Sequence, residues 1–118
     1  KNPENAPYDL IFISGLLLYL NDQKFYKILN FLEKYSINKS ILILREPVAI
    51  KSEYLLNNKY SKELQTIYSA IYRTETKIIN NFKKNNFKLL TNDWMHSNGS
   101  KFNKWEETRL KLFSFRRT

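Results

Sequence analysis

The chain has 118 residues, 42% hydrophobic and 15% aromatic, which is enough for one packed core and too apolar for a disordered segment. It has no cysteine, which excludes a disulfide framework and a cysteine-ligated metal, and no apolar run approaches the ~20 residues of a membrane-spanning helix. Lys and Arg outnumber Asp and Glu by 20 to 11, but these cations are scattered among Asn and Ile, whereas a nucleic-acid face requires them clustered. With no secretory leader in the polar, proline-bearing first residues, a cytoplasmic protein without a membrane segment is expected.

Residues Lys1 to Pro7 carry no periodicity and read as a loop. Leu10-Ile11-Phe12-Ile13 then forms a run of β-formers without alternation, the pattern of a strand buried on both faces of a parallel sheet. Ser14-Gly15 breaks the run, and a second apolar run, Leu16 to Leu20, follows. Asn21 or Asp22 can cap a helix in which Phe25, Ile28, Leu29, Leu32 and Tyr35 recur at spacings of three and four. That helix ends near Tyr35-Ser36, and Asn38-Lys39 makes a turn. Ser40 to Glu46 is a second buried strand, closed by Pro47. Strand, helix and strand make a right-handed crossover with parallel pairing. Arg45-Glu46 therefore falls at the same sheet end as Ser14-Gly15, and ligands bind beyond the carboxyl ends of such strands.

Val48 to Ser61 reads as a loop over the strand ends, with at most a short helix across Glu53–Asn57. Leu64, Ile67, Tyr68, Ile71 and Tyr72 keep helical spacing, yet Ser69 to Thr74 fits extended chain equally well. Thr74 caps a second helix, Glu75 to Asn85, with Ile78, Ile79 and Phe82 as its stripe and Glu75 and Lys83-Lys84 complementing its dipole. Phe87 to Trp94 is a strand, Asn98 to Lys101 a loop, and Thr108 to Arg116 the last strand. With no helix between them, these two strands are expected to pair antiparallel.

Several segments resemble a known family. Tyr8-Asp9-Leu10-Ile11-Phe12 resembles the start of its fourth strand, and Ser14-Gly15-Leu16-Leu17-Leu18-Tyr19-Leu20 the strand end and apolar turn that follow. Ile41-Leu42-Ile43-Leu44-Arg45-Glu46 resembles the fifth strand, Phe82-Lys83-Lys84-Asn85-Asn86-Phe87 the helix-to-sixth-strand junction, and Leu110-Lys111-Leu112-Phe113-Ser114-Phe115 the seventh. In this order they resemble the C-terminal half of a class I S-adenosylmethionine-dependent methyltransferase. The resemblance implies an α/β fold: the C-terminal part of a Rossmann-like sheet over residues 1–118, with the last strand antiparallel and helices flanking it. It also implies S-adenosylmethionine as cofactor and methyl transfer to an oxygen or nitrogen of a small polar acceptor. The sequence departs from the family in having no G-x-G turn to cradle a nucleotide, only Gly15 and Gly99 as glycines, and Asn86 where the family has glycine. The first three strands have no counterpart. The chain therefore reads as a partial domain, inactive alone, whose partner is the missing N-terminal half. The alternative is a non-catalytic basic module that binds RNA or a protein.

On that resemblance Ser14, Gly15 and Leu16 contact the cofactor, and Tyr19 lines the substrate pocket. Arg45 can clamp a carboxylate or phosphate and Glu46 can act as a general base, although a strand-end salt bridge accounts for the pair as simply. Tyr68, Tyr72 and Arg73 form a polar-aromatic cluster suited to an oxygen-bearing acceptor, or one packed on the sheet. His96, the only histidine, is a further candidate base in a loop. One histidine without cysteine or clustered carboxylates offers no metal site.

Overall fold

Residues 3–63, 65–97, 99–103 and 106–118 are described by a computed structural model of the chain. Leu64 and Asn98, which the sequence reading placed in a helical stripe and a loop, lie outside the described residues. The elements in order are β1 (Tyr8–Ser14), a 3-10 turn (Leu17–Tyr19), α1 (Asp22–Lys34), β2 (Ser36–Ala49), β3 (Tyr54–Ser61), β4 (Thr66–Tyr72), α2 (Glu75–Lys84), β5 (Phe87–Trp94) and β6 (Thr108–Arg117).

Both helices start where a side chain satisfies an orphan amide. Asn21 accepts from the Lys24 N–H and Thr74 from the Lys77 N–H. Each helix buries the predicted stripe: Phe25, Leu29 and Leu32 on α1, and Ile78 and Phe82 on α2. These residues meet Ile13, Leu42, Leu44, Val48, Phe113 and Phe115 in one core. Phe82 stacks on Phe115 at 4.4 Å and meets Phe25 at 6.4 Å and Phe87 at 6.0 Å edge-on. A fully buried side chain of this size contributes on the order of 1.5–3 kcal/mol by leaving water.

The main sheet has the order β1-β2-β6-β5, with β1 parallel to β2 and the other pairs antiparallel. The parallel pair confirms the crossover through α1, and β6 inserts between β2 and β5. Both helices lie on the face that carries Ile13, Leu42 and Leu44. The opposite face of β1 is open: Leu10 and Phe12 are each 64% exposed. Burial on both faces is thus not realised within these residues, because no element among them covers the side on which Leu10 and Phe12 stand beside Ile41 and Ile43.

Further expectations change. β2 starts at Ser36 rather than Ser40, and Asn38-Lys39 is not a turn between elements but a point within β2 at which Lys39 has φ +73° and the register with β1 shifts. β2 does not stop at Pro47 but runs on to Ala49, paired with β6 throughout. Its pairing with β1 ends at Arg45 and the edge is bridged again only at Ala49, so at Pro47 no strand pairs on that side and a proline's missing N–H is tolerated. The segment read as a loop is instead β3, and the following stretch, which fitted helix and extended chain equally, takes the extended form as β4 in an antiparallel hairpin. Its register shifts between Leu56 and Lys59, and Asn58 there has φ +50°. The Asn57-Asn58-Lys59 interruption is a strand irregularity of the β-bulge kind.

Asn86 has φ +63°, the left-handed conformation that ends a helix. It stands in place of glycine because asparagine is the side chain that best tolerates this region. Its amide also donates to Glu33 Oε2 at 2.8 Å. Asn86→Gly and Asn86→Ala both delete that bond, but only alanine retains the Cβ penalty. Urea unfolding is expected to find the alanine variant less stable than the glycine variant by about 1–2 kcal/mol.

Candidate functional site

Neighbouring residues of a strand point to opposite faces, and this separates Arg45 from Glu46. Arg45 shares the face of Ile43 and Pro47, away from the helices, and its Nη1 reaches Ser14 Oγ at 3.4 Å. Glu46 shares the face of Leu44 and Val48 and is buried, with 2% exposure. Burial raises its pKa to about 8, against the opposing pull of the Leu18, Leu17 and Leu16 backbone N–H groups and the Arg73 charge. Its Oε1 has no hydrogen-bond partner among the described residues.

The chain leaving β1 turns at once. Gly15 has φ +62°, and its N–H donates to the Arg45 carbonyl at 2.9 Å, extending the parallel ladder by one bond. The 3-10 turn then sends Leu17 into the main core and Leu18 into a second cluster with Ala49, Ala70 and Tyr72. That second cluster, with Tyr54, Leu56 and Tyr68 packed against it, seats the β3–β4 hairpin over the sheet end.

Arg73 locks this arrangement from inside. It is 2% exposed and donates from Nη1 to the Leu17 carbonyl (2.8 Å), from Nη2 to the Leu20 carbonyl (2.6 Å) and from Nε and Nη2 to Asp22 Oδ1 (3.1 and 3.0 Å). Its guanidinium lies 4.5 Å from the centre of the Phe25 ring, and its own carbonyl accepts from the Ala49 N–H at 2.9 Å. Asp22 also accepts from Lys77 Nζ at 2.9 Å. The Lys77 and Arg73 contacts outweigh the desolvation of Asp22 and hold its carboxyl below the usual range.

Between the strand ends and the hairpin lies a cavity of about 490 Å³, of a size that holds a small molecule. Its wall brings together Gly15, Tyr19, Arg45, Tyr68, Tyr72 and His96. The rings of Tyr19 and Tyr68 meet edge-on at 6.0 Å, and His96 lies 5.2 Å from the Phe102 ring. Burial, then the neighbouring Tyr68, raises the pKa of both Tyr19 and Tyr72. Both phenols therefore stay protonated as hydrogen-bond donors.

The predicted site residues thus divide. Gly15, Tyr19, Arg45, Tyr68, Tyr72 and His96 line the cavity. Ser14 lies beside it through Arg45, and Leu16 is an exposed residue opening the 3-10 turn. Glu46 and Arg73 do not reach the cavity. Glu46 lies under the turn and Arg73 clamps it, because alternation turns one inward and packing buries the other. The sequence reading missed Arg109 and Phe102, which line the same wall. An antiparallel last strand brings its first residues back to the carboxyl end of β2, and that signal could have found Arg109. Among the described residues no cluster of His, Asp and Glu could hold a metal, and no helix is long and apolar enough to cross a membrane.

No protein-family model matches the chain, and no curated protein does. Solved structures do match. A 1,6-didemethyltoxoflavin-N1-methyltransferase from Burkholderia thailandensis, with 1,6-didemethyltoxoflavin and S-adenosylhomocysteine bound, superposes with a TM-score of 0.71 at 12% identity, over 100% of this chain and 47% of its own. An S-adenosylmethionine-dependent methyltransferase from Mesorhizobium loti gives 0.66 at 12% identity, over 99% of this chain and 65% of its own. One from Methanosarcina mazei gives 0.70 at 10%, over 95% and 60%. The fold is that of a class I methyltransferase, and the chain spans between about half and two thirds of the length of these proteins.

Glu46 makes stability fall as pH rises. Between its ordinary value of 4.5 and the folded value of about 8, the unfolded chain has released the proton and the folded chain has not. Urea unfolding at pH 4.5, 6.5 and 8 is expected to show Glu46→Gln gaining on the wild type across this window. The advantage levels off above pH 8, at a few kcal/mol. Arg73→Met, which strands the carbonyls of Leu17 and Leu20, is expected to cost about 3–5 kcal/mol in the same measurement.

Proposed function

We propose that this chain, built on the class I methyltransferase fold, forms the acceptor side of an S-adenosylmethionine-dependent methyltransferase that modifies an oxygen or nitrogen of a small polar molecule. The observation that carries this reading is the cavity at the carboxyl ends of β1 and β2, where Gly15, Arg45, three tyrosines and His96 converge. Open α/β sheets bind their ligands at that end.

The cofactor is S-adenosylmethionine, and the residues present fit one flank of it. Among the described residues, nothing beyond its two chain neighbours stands within 4 Å of where a Cβ on Gly15 would be, so the backbone at the end of β1 is open to close approach. Ser14 and Leu16 flank that point and are exposed. The sequence has no glycine-rich turn to offer successive N–H groups to the remainder of the cofactor. A second half-domain, outside these 118 residues, supplies that cradle, and the chain alone is inactive.

When bound, the cofactor supplies a methyl group on a positively charged sulfur. The work of this chain is alignment and proton handling. Arg45 and the tyrosine hydroxyls hold oxygens of the acceptor. His96, on the same wall, takes the proton that the acceptor loses. Glu46 is a positioning residue beneath the turn from Leu16 to Leu18, which carries Tyr19 into the cavity.

The test uses tritiated S-adenosylmethionine with the chain and its complementary half. His96→Gln is expected to lower the transfer rate about 100-fold and leave cofactor affinity unchanged. Full activity in both His96→Gln and Arg45→Gln would remove the cavity from the chemistry. Tight binding of the cofactor by the isolated chain in calorimetry would overturn the division into halves.

A further inference from the structure

We infer that the cavity between the strand ends and the β3–β4 hairpin takes a planar ring bearing a carboxylate, gripped at its charged end by Arg45 and flanked by tyrosine rings. The inference rests on reading the cavity as the acceptor site and names the class of acceptor.

The shape argument comes from the wall. Tyr19, Tyr68, Tyr72 and Phe102 supply ring surface, and Leu18, Pro47 and Leu110 add apolar area. Pro47 and Leu110 are direct cross-strand partners on the face that carries Arg45, so an apolar floor lies next to the cation. Aromatic side chains offer broad flat contact at low entropic cost, and a flat ligand uses that contact best. A volume of about 490 Å³ suits a ring-sized molecule with substituents.

The charge argument comes from comparing the chain's cations. Arg73 pairs with Asp22, Lys77 with Asp22 and Glu53, and Lys111 with Glu75. Arg45 has no carboxylate partner among the described residues, and its hydrogen bond is the long one to Ser14 Oγ. A guanidinium on a cavity wall presents a planar fork that matches the two oxygens of a carboxylate. Arg109 lines the same wall, where its Nη1 donates to the Thr108 carbonyl at 2.8 Å, and it adds to the positive field. Tyr19, on the same wall, carries a hydroxyl able to donate to a ligand's oxygen. Glu63, also on the wall, is exposed and accepts from Ser61 Oγ at 3.1 Å. A cationic acceptor would meet the positive field of both arginines.

The experiment is an NMR titration of the ¹⁵N-labelled chain with three probes: 4-hydroxybenzoate, its neutral isostere 4-hydroxybenzamide, and the non-planar cyclohexanecarboxylate. The benzoate is expected to shift the amide signals of Gly15, Tyr19, Tyr68 and His96 and to bind at least tenfold more tightly than either other probe. Arg45→Gln is expected to bring the benzoate down to the affinity of the amide, and Tyr68→Leu to erase its advantage over the cyclohexane acid. The spectrum itself reports whether each variant is folded. Should Arg45→Gln unfold, Arg45→Lys keeps the charge without the fork, and a partial loss is expected. Equal affinity for the three probes, shifts confined to other residues, or undiminished benzoate binding by a folded Arg45 variant would each overturn the inference. Methyl transfer is not the readout, so benzoate binding by a protein that never transfers a methyl would sink the methyltransferase reading alone. Transfer to a neutral acceptor without any preference for the acid would sink this inference alone.

Discussion

The Arg73 guanidinium holds the functional end of the molecule together. Its donors reach two carbonyls of the turn after β1 and the carboxylate at the start of α1, while its backbone carbonyl ties β2 to the chain entering α2. A buried cation is costly unless its hydrogen bonds are met and a counter-charge is close. Here both conditions are satisfied, and Phe25 supplies an aromatic face besides. The price of that burial is rigidity in the turn that carries Leu18 and Tyr19. Leu18 in turn seats the hairpin, and the hairpin forms one side of the cavity. Arg73, itself outside the cavity wall, thus braces the turn that carries Leu18 and Tyr19 into it.

A second constraint is the two-residue period of β2. Arg45 and Glu46 are adjacent in sequence and chemically suggestive as a pair, yet one strand cannot present both to the same crevice. Arg45 faces the cavity and Glu46 the helix-covered core, where burial keeps it protonated up to about pH 8. The separation leaves Arg45 without a carboxylate partner among the described residues, on the wall of the cavity. His96 lies on the same cavity wall as Arg45. His96 comes from the segment between β5 and β6, the connection that returns the chain to the cavity end of the sheet.

The open face of β1 gives the sheet its third feature. Leu10 and Phe12 stand uncovered beside Ile41 and Ile43, while the other face is packed by two helices. A strand with apolar residues on both faces needs cover on both. The solved structures of this fold extend well beyond the region matched by this chain. Among the described residues, β1 is the edge strand of the sheet and the face bearing Leu10 and Phe12 stays uncovered.

By itself, the sequence determined the elements whose periods are unambiguous. Stripes at three and four placed α1 and α2, apolar runs placed β1 and β2, and the absence of a helix between Phe87 and Arg116 made the last two strands antiparallel. It also brought Ser14-Gly15 and Arg45 to one sheet end through the crossover rule. The β3–β4 hairpin was not legible, because residues four apart, such as Tyr68 and Tyr72, share a face in a helix and equally in a strand. Packing decided between them: Tyr68, Ala70 and Tyr72 turn inward while Ile67 is left exposed. The roles of Arg73 and Glu46 likewise depended on tertiary structure. Local sequence sets which way a side chain points along its own element, but only contacts tens of residues away decide whether it meets solvent, a ligand or the core.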